Sequence, residues 1–137
     1  MMTYDEMLAL KGVAHRKHPR HIESQLQQSA VAWFRLQYPD LMIAAIPNGG
    51  FRNTREASIM KKEGTLAGFS DLIVVGKGRV LFVEMKTPQG RLSESQKRFK
   101  ERVYSLGHEY VVCRSLEQFV CAVSRWEKEV ISKRNHV

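Results

Sequence analysis

Cysteine is scarce in this chain, and acid is short relative to base. Only Cys113 and Cys121 occur among 137 residues, with no CxxC pair. That pattern excludes a disulfide framework and fits a reducing cytosol. Both sit in apolar surroundings and are expected to act as small core residues. No apolar run approaches the length of a membrane span. The opening MMTYDEMLALKG carries acidic residues and no long apolar core, so it does not read as a signal peptide. There is no internal repeat, low-complexity tract or second-domain boundary.

What is present is base. Lys plus Arg number 22 against 14 Asp plus Glu, a net charge of +8. Such an excess favours a polyanionic partner, and nucleic acid is the commonest one. A basic surface kept for solubility accounts for the charge equally well. The apolar share, 43%, is that of an ordinary globular protein, and the length suits one domain with a real core.

The chain divides into a basic N-terminal arm, residues 1–21, and one domain, residues 22–137. A short helix is expected over residues 3–11. His15, His18 and His21 recur every three residues, but Pro19 disfavours a continuous helix and no Cys or carboxylate stands among them. An arm touching phosphate is the better reading there than a zinc site.

From Ile22 to Tyr38 the periodicity is helical, with Ile22, Leu26, Ala30, Trp33 and Phe34 forming the apolar stripe. LMIAAI, residues 41–46, reads as a buried strand before the PNGG turn. Residues 53–63 read as a helix stopped by Gly64. DLIVVG and RVLFVEMK, separated by Lys77 and Gly78, should pair as a hairpin. Ser93 and Gln96 mark a capping box opening a helix that Gly107 stops. EYVVC is a short strand. Ser115 and Gln118 open a last helix in the same way, running to about Lys128. The interleaving implies an α/β fold: a mixed sheet with a central hairpin flanked by helices.

The hairpin carries the chemistry. A two-residue turn at Lys77–Gly78 pairs Gly76 with Arg79 and places Asp71 opposite Glu84. Directly opposed side chains stand roughly 4.5–5.5 Å apart, where two carboxylates repel. Lys86, two residues beyond Glu84, projects from the same face. A divalent cation resolves the repulsion, and two hard oxygen ligands suit Mg²⁺ or Mn²⁺. Such an ion polarises a phosphoryl oxygen and lowers the pKa of a bound water. Lys86 beside it could orient that water or stabilise a phosphorane. These are the parts of phosphodiester hydrolysis. The plainer alternative keeps Glu84 and Lys86 as a weak solvent-facing pair and Asp71 as the start of its strand. A register slip of one residue would put Asp71 on the opposite face.

Asp71 with Glu84-Met85-Lys86 resembles the D…(D/E)xK signature of restriction-endonuclease-like nucleases. ESQLQ, PNGG, GTLAGFSDLIVV, FVEMKTPQGRLSESQ and GHEYVVCRSLEQF narrow the likeness. Together they resemble the VRR-NUC family over about residues 22–120, in its stand-alone viral or bacterial type.

The resemblance implies a restriction-endonuclease-like core and a Mg²⁺- or Mn²⁺-dependent endonuclease. Asp71 and Glu84 would be metal ligands, the Met85 carbonyl a third, and Lys86 the catalytic lysine. Glu23 matches an acidic residue that approaches the metal, and Gln96 a glutamine lining the site. Asn48 and Gly49 match the loop beside it. Glu23 equally suits the first turn of its helix, and Gln96 has a capping task of its own. Arg52, Arg55, Lys61 and Lys62 flank the site in sequence and are candidate DNA contacts or simply solvated charges.

Stand-alone members are similar to Holliday junction resolvases, so the likeness implies a homodimer on branched DNA, in the cytoplasm of a bacterial cell or phage-infected host. A flap or duplex nicking nuclease, and a non-catalytic DNA-binding module, are the alternatives. One residue departs from the pattern. Ser70 stands before Asp71 where the family usually has proline, which puts the rigidity of that loop in question.

Overall fold

The computed structural model describes residues 19–47 and 53–135. The expected helix over residues 3–11, His15, His18, Asn48, Gly49 and Arg52 lie outside them. Eight elements follow in order: α1 (Pro19–Gln37), β1 (Met42–Ala45), α2 (Thr54–Lys62), β2 (Leu72–Val75), β3 (Val80–Met85), α3 (Glu94–Ser105), β4 (Glu109–Cys113) and α4 (Leu116–Asn135). The expected order is the observed one.

The strands form one mixed sheet in the order β1-β2-β3-β4. β1 and β2 pair antiparallel, as do β2 and β3, while β4 runs parallel to β3. A parallel pair needs a crossover, and α3 supplies it. Strand alternation then gives the sheet two different faces. Leu72 and Val74 of β2, Leu81, Val83 and Met85 of β3, and Cys113 of β4 enter the main core. Ala30, Trp33 and Phe34 of α1 and Leu116, Phe119, Val123 and Trp126 of α4 complete it. On the opposite face Phe82 and Tyr110 pack with Phe99 and Val103 of α3 and with Phe69.

The hairpin register is the expected one. Leu72 faces Val83 and Val75 faces Val80, and the Gly76 N–H donates to the Arg79 carbonyl at 3.0 Å. Gly78 adopts φ +74°, which fits glycine at this two-residue turn.

Several local expectations need correction. α1 begins at Pro19, not Ile22: the missing N–H of proline costs nothing in a first turn, whose donors have no helical acceptor. Ile22, expected in the stripe, is 41% exposed because the main core starts further along the helix. β1 is not buried along its length; only Ile43 is, and Met42 is 66% exposed, as befits an edge strand. α4 continues past Lys128 to Asn135, since no Gly or Pro interrupts it. Cys113 is buried, and burial pushes its thiol up to about 12, but Cys121 faces solvent from α4. Leu116, Phe119, Val123 and Trp126 mark the inner face of that helix, and position 121 lies off it.

The two capping signals are used differently. At α3 the full box forms: Ser93 Oγ accepts the Gln96 N–H and Gln96 Oε1 accepts the Ser93 N–H. At α4 Ser115 Oγ accepts the Gln118 N–H, but Gln118 Oε1 reaches one residue further back to the Arg114 N–H, 2.7 Å away.

Candidate active site

The site lies on the α3 face of the sheet, at the end of the hairpin away from its turn. Asp71 immediately precedes β2. Its carbonyl accepts the Ile46 N–H at 2.9 Å, which extends the β1–β2 pairing by one residue. Its Oδ2 accepts the Met85 N–H at 2.8 Å. The carboxylate is therefore fixed by the strand that carries Glu84, one residue from it.

Ser70 supplies the rigidity that its replacement of proline put in question. It is fully buried, and its hydroxyl donates to the Leu72 carbonyl at 3.0 Å. A side-chain hydrogen bond across Asp71 thus holds the backbone that proline would have held by its ring.

Glu84 is the site's unusual residue. It is 2% exposed, the one buried acid among the described residues. Burial first, and Asp71 second, push its carboxyl up to about 8; Lys86 acts in the opposite sense and less strongly. Two carboxylates set side by side in a partly buried site repel each other, and each disfavours the ionised form of the other. One side-chain cation at the rim does not offset that together with the loss of hydration.

Each oxygen of Glu84 has a different environment. Oε1 accepts Gln96 Nε2 at 3.1 Å, while Oε2 is buried with no hydrogen-bond partner. An unpartnered buried carboxylate oxygen is costly, and native proteins keep such groups where something else uses them. The same two carboxylates also act on Tyr110. Burial, then Glu84 and Asp71, push its phenol well above its ordinary value, and its hydroxyl is buried without a partner.

Gln96 performs both tasks that the sequence set against each other. Its amide oxygen closes the capping box on Ser93, and its nitrogen reaches Glu84. The helix start and the carboxylate are joined through one side chain. Gly68 makes this docking possible. It adopts φ +78°, and a Cβ there would stand 2.3 Å from the Ser95 backbone, so the loop before Asp71 lies directly on the first turn of α3.

Lys86 follows β3, its N–H donating to the Cys113 carbonyl at 3.0 Å. It shares the strand parity of Glu84 and is close enough to act on that carboxyl. Asp71, Glu84, Lys86 and Gln96 are thus brought together.

Asn48, Gly49 and Arg52 lie outside the described residues. Among the described residues no group of three or more His, Cys, Asp or Glu side chains is placed to hold a metal, so Glu23 on α1 does not form a three-acid cluster with Asp71 and Glu84. Arg55, Lys61 and Lys62 stand exposed on α2, a helix with no buried residue. Arg114 was not foreseen from the sequence. Its Nη1 bonds the carbonyls of Thr87 and Gly90, 24 or more residues away, and no periodicity or spacing announces such a contact.

The donor set fits a hard divalent cation on one observation of this structure: the free, buried Oε2 of Glu84 beside the carboxylate of Asp71. The residues that would hold it are Asp71 and Glu84.

Comparison with known proteins identifies the family and the fold. The family model for the VRR-NUC domain matches residues 12–117. A solved structure described as a VRR_NUC domain protein is similar over 83% of this chain and 92% of its own, with TM-score 0.64 and 20% identity. Another, described as a VRR_NUC domain, is similar over 74% of this chain and 94% of its own, with TM-score 0.54 and 22% identity. No curated protein matches the chain.

Proposed function

Because the chain belongs to the VRR-NUC domain family, a family of nucleases, we propose that it is a metal-dependent endonuclease cleaving DNA phosphodiester bonds. The observation that carries this reading is the buried Glu84 carboxylate, unpartnered at Oε2 and forced against Asp71. A fold gains nothing from that arrangement by itself.

Asp71, Glu84 and the Met85 carbonyl are the proposed ligands of Mg²⁺ or Mn²⁺, with Glu23 as a further acid approaching from α1. When bound, the ion supplies Lewis-acid polarisation of the scissile phosphate and a water of lowered pKa. The protein's own groups do the rest. The Met85 N–H fixes Asp71, and Gln96 fixes Glu84. Lys86 offers an ammonium to the negative charge that develops on the phosphoryl oxygens, or holds the attacking water by hydrogen bonding. The net charge of +8 gives the DNA backbone a counter-surface. Arg55, Lys61 and Lys62 of α2 are the proposed phosphate contacts, together with Asn48 and Arg52.

The preferred substrate in this proposal is branched DNA of the Holliday-junction type. Resolving a two-fold symmetric junction takes two cuts, and one chain of this size has one site. A C2 homodimer is the simple solution.

The test compares cleavage of a four-way junction, a flap and linear duplex with Mg²⁺ and with Mn²⁺. Paired cuts across the junction, stopped by EDTA, are expected. Faster cutting of the flap or duplex would redirect the substrate class. Salt-sensitive binding with no cleavage in any divalent ion would leave a DNA-binding module.

A further inference from the structure

The segment that follows Lys86 is held from an unexpected side. Arg114, the residue after β4, points its guanidinium back across the sheet end. Nη1 stands 2.6 Å from the Gly90 carbonyl, 2.8 Å from that of Thr87 and 3.4 Å from that of Pro88. Two N–H groups thus serve three loop carbonyls, and the longest contact is the weakest. The Gly90 N–H closes a tight turn on the Thr87 carbonyl at 3.1 Å. Arg114 is itself anchored, because its backbone N–H donates to Gln118 on α4.

This loop is the shelf on which Lys86 lies. A Cβ added at Gly90 would stand 3.3 Å from Lys86 Cδ and 3.0 Å from Thr87 Oγ1. The lysine stem therefore runs close over the Gly90 α-carbon. Residues 87–90 otherwise turn away from the sheet: Pro88 and Gln89 are exposed, and the last backbone tie to β4 is the Lys86 N–H. Without a clamp nothing in β3 fixes where this shelf sits.

We propose that Arg114 is the positioning residue for Lys86: by binding the carbonyls of Thr87, Pro88 and Gly90 it fixes the loop that supports the lysine stem. The proposal rests on the nuclease reading for the role of Lys86, although the clamp itself does not. It also distinguishes Arg114 from the basic residues of α2. Its Nη1 donors are committed to protein carbonyls, so its effect belongs on the chemical step rather than on DNA binding.

The experiment compares wild type, Arg114→Ala, Arg114→Lys and Gly90→Ala. Single-turnover cleavage of a four-way junction is measured at saturating protein, the junction Kd in EDTA, and amide hydrogen exchange across residues 86–91 in the metal-free protein. Arg114→Ala is expected to lower the saturating rate by about 10- to 100-fold, the scale of a small misplacement of a reacting group. The Kd should stay within about twofold, because no phosphate contact is lost. Exchange in the loop should speed up. Arg114→Lys should recover part of the rate, since an ammonium can still reach a carbonyl.

Gly90→Ala serves if Arg114→Ala does not fold. Gly90 has no positive φ, so alanine there presses a methyl on the Thr87 hydroxyl and the lysine stem without backbone strain. It should lower the rate with Arg114 in place.

An unchanged saturating rate in Arg114→Ala would overturn the proposal. So would a raised Kd as the sole effect, which would make Arg114 a phosphate contact. If wild type cleaves none of the DNAs tested, the nuclease reading fails instead. The exchange measurement then still decides the clamp, and unchanged protection at residues 86–91 would refute it.

Discussion

Gln96 reaches Glu84 with its amide nitrogen at 3.1 Å while its amide oxygen takes the Ser93 N–H at 2.8 Å. One side chain therefore belongs both to the start of α3 and to the carboxylate at the centre of the site. The two roles separate by mutation. Ser93→Ala removes one capping acceptor and should cost about 1 kcal/mol of stability. It leaves the Gln96–Glu84 contact in place, so cleavage per folded molecule should hardly change. Gln96→Ala should cost a similar amount of stability and also slow cleavage by about 10- to 100-fold, as loss of a residue orienting a ligand does. Thermal melts and single-turnover rates on the same samples check both. Equal rates for the two variants would leave Gln96 with the cap alone.

The contact between Gly68 and the first turn of α3 predicts a sharp contrast between two glycines. Both have positive φ, +78° at Gly68 and +107° at Gly64. A Cβ at Gly64 meets nothing within 4 Å, whereas at Gly68 it would meet the Ser95 backbone at 2.3 Å. Gly64→Ala should cost only the left-handed conformation, about 1–2 kcal/mol. Gly68→Ala adds a backbone clash and should cost about 3 kcal/mol or more. Denaturant unfolding of the pair measures the difference, and equal costs would mean that the loop does not rest on α3.

Glu84 predicts how the stability of the metal-free protein depends on pH. Its folded-state pKa is raised to about 8 from an ordinary 4.5, by burial and then by Asp71. Between those values the folded state holds a proton that the unfolded state has released. Stability from this group is thus fully present below pH 4.5 and is lost as pH rises through about 8. Glu84→Gln should flatten the decline over that window and leave the metal-free protein at least as stable above it. Urea unfolding in EDTA at several pH values gives the slope. An identical decline in wild type and Glu84→Gln would place the titration elsewhere.

The hairpin was the most legible part of the fold, and for a local reason. Lys77–Gly78 sets a two-residue turn, and the turn sets every pair behind it, so Asp71 and Glu84 could be matched by counting. The capping box at Ser93 was legible in the same way. Burial was harder. Ile22 and β1 are as apolar as core segments, but whether they are covered depends on sheet order, and β1 turns out to be an edge. Cys121 was misplaced because its neighbours in sequence are apolar while its own direction from α4 is outward. The support of the site was least legible. The site contact of Gln96 was expected only from family likeness, while the Ser70 hydroxyl in place of a proline ring and the Arg114 clamp use side-chain contacts that no residue pattern encodes.

Glu23 is the site residue for which family likeness and geometry differ most. The likeness brings an acid from α1 toward the metal. In the structure no three-acid cluster forms among the described residues. Under the proposed function Glu23→Gln should slow cleavage in limiting Mg²⁺ more than in saturating Mn²⁺, because an outer acid chiefly aids metal retention. Its fold should be unaffected. Rates equal to wild type at every metal concentration would assign Glu23 to its helix alone.

The most direct test of the central claim removes one charge from the opposed pair. Asp71→Asn retains an oxygen that can accept the Met85 N–H, so the hairpin should fold as before. It should lose Mn²⁺ binding in a calorimetric titration and fall to background in cleavage of the DNA that wild type cuts. Full cleavage by folded Asp71→Asn would contradict the metal-dependent mechanism built on Asp71 and Glu84.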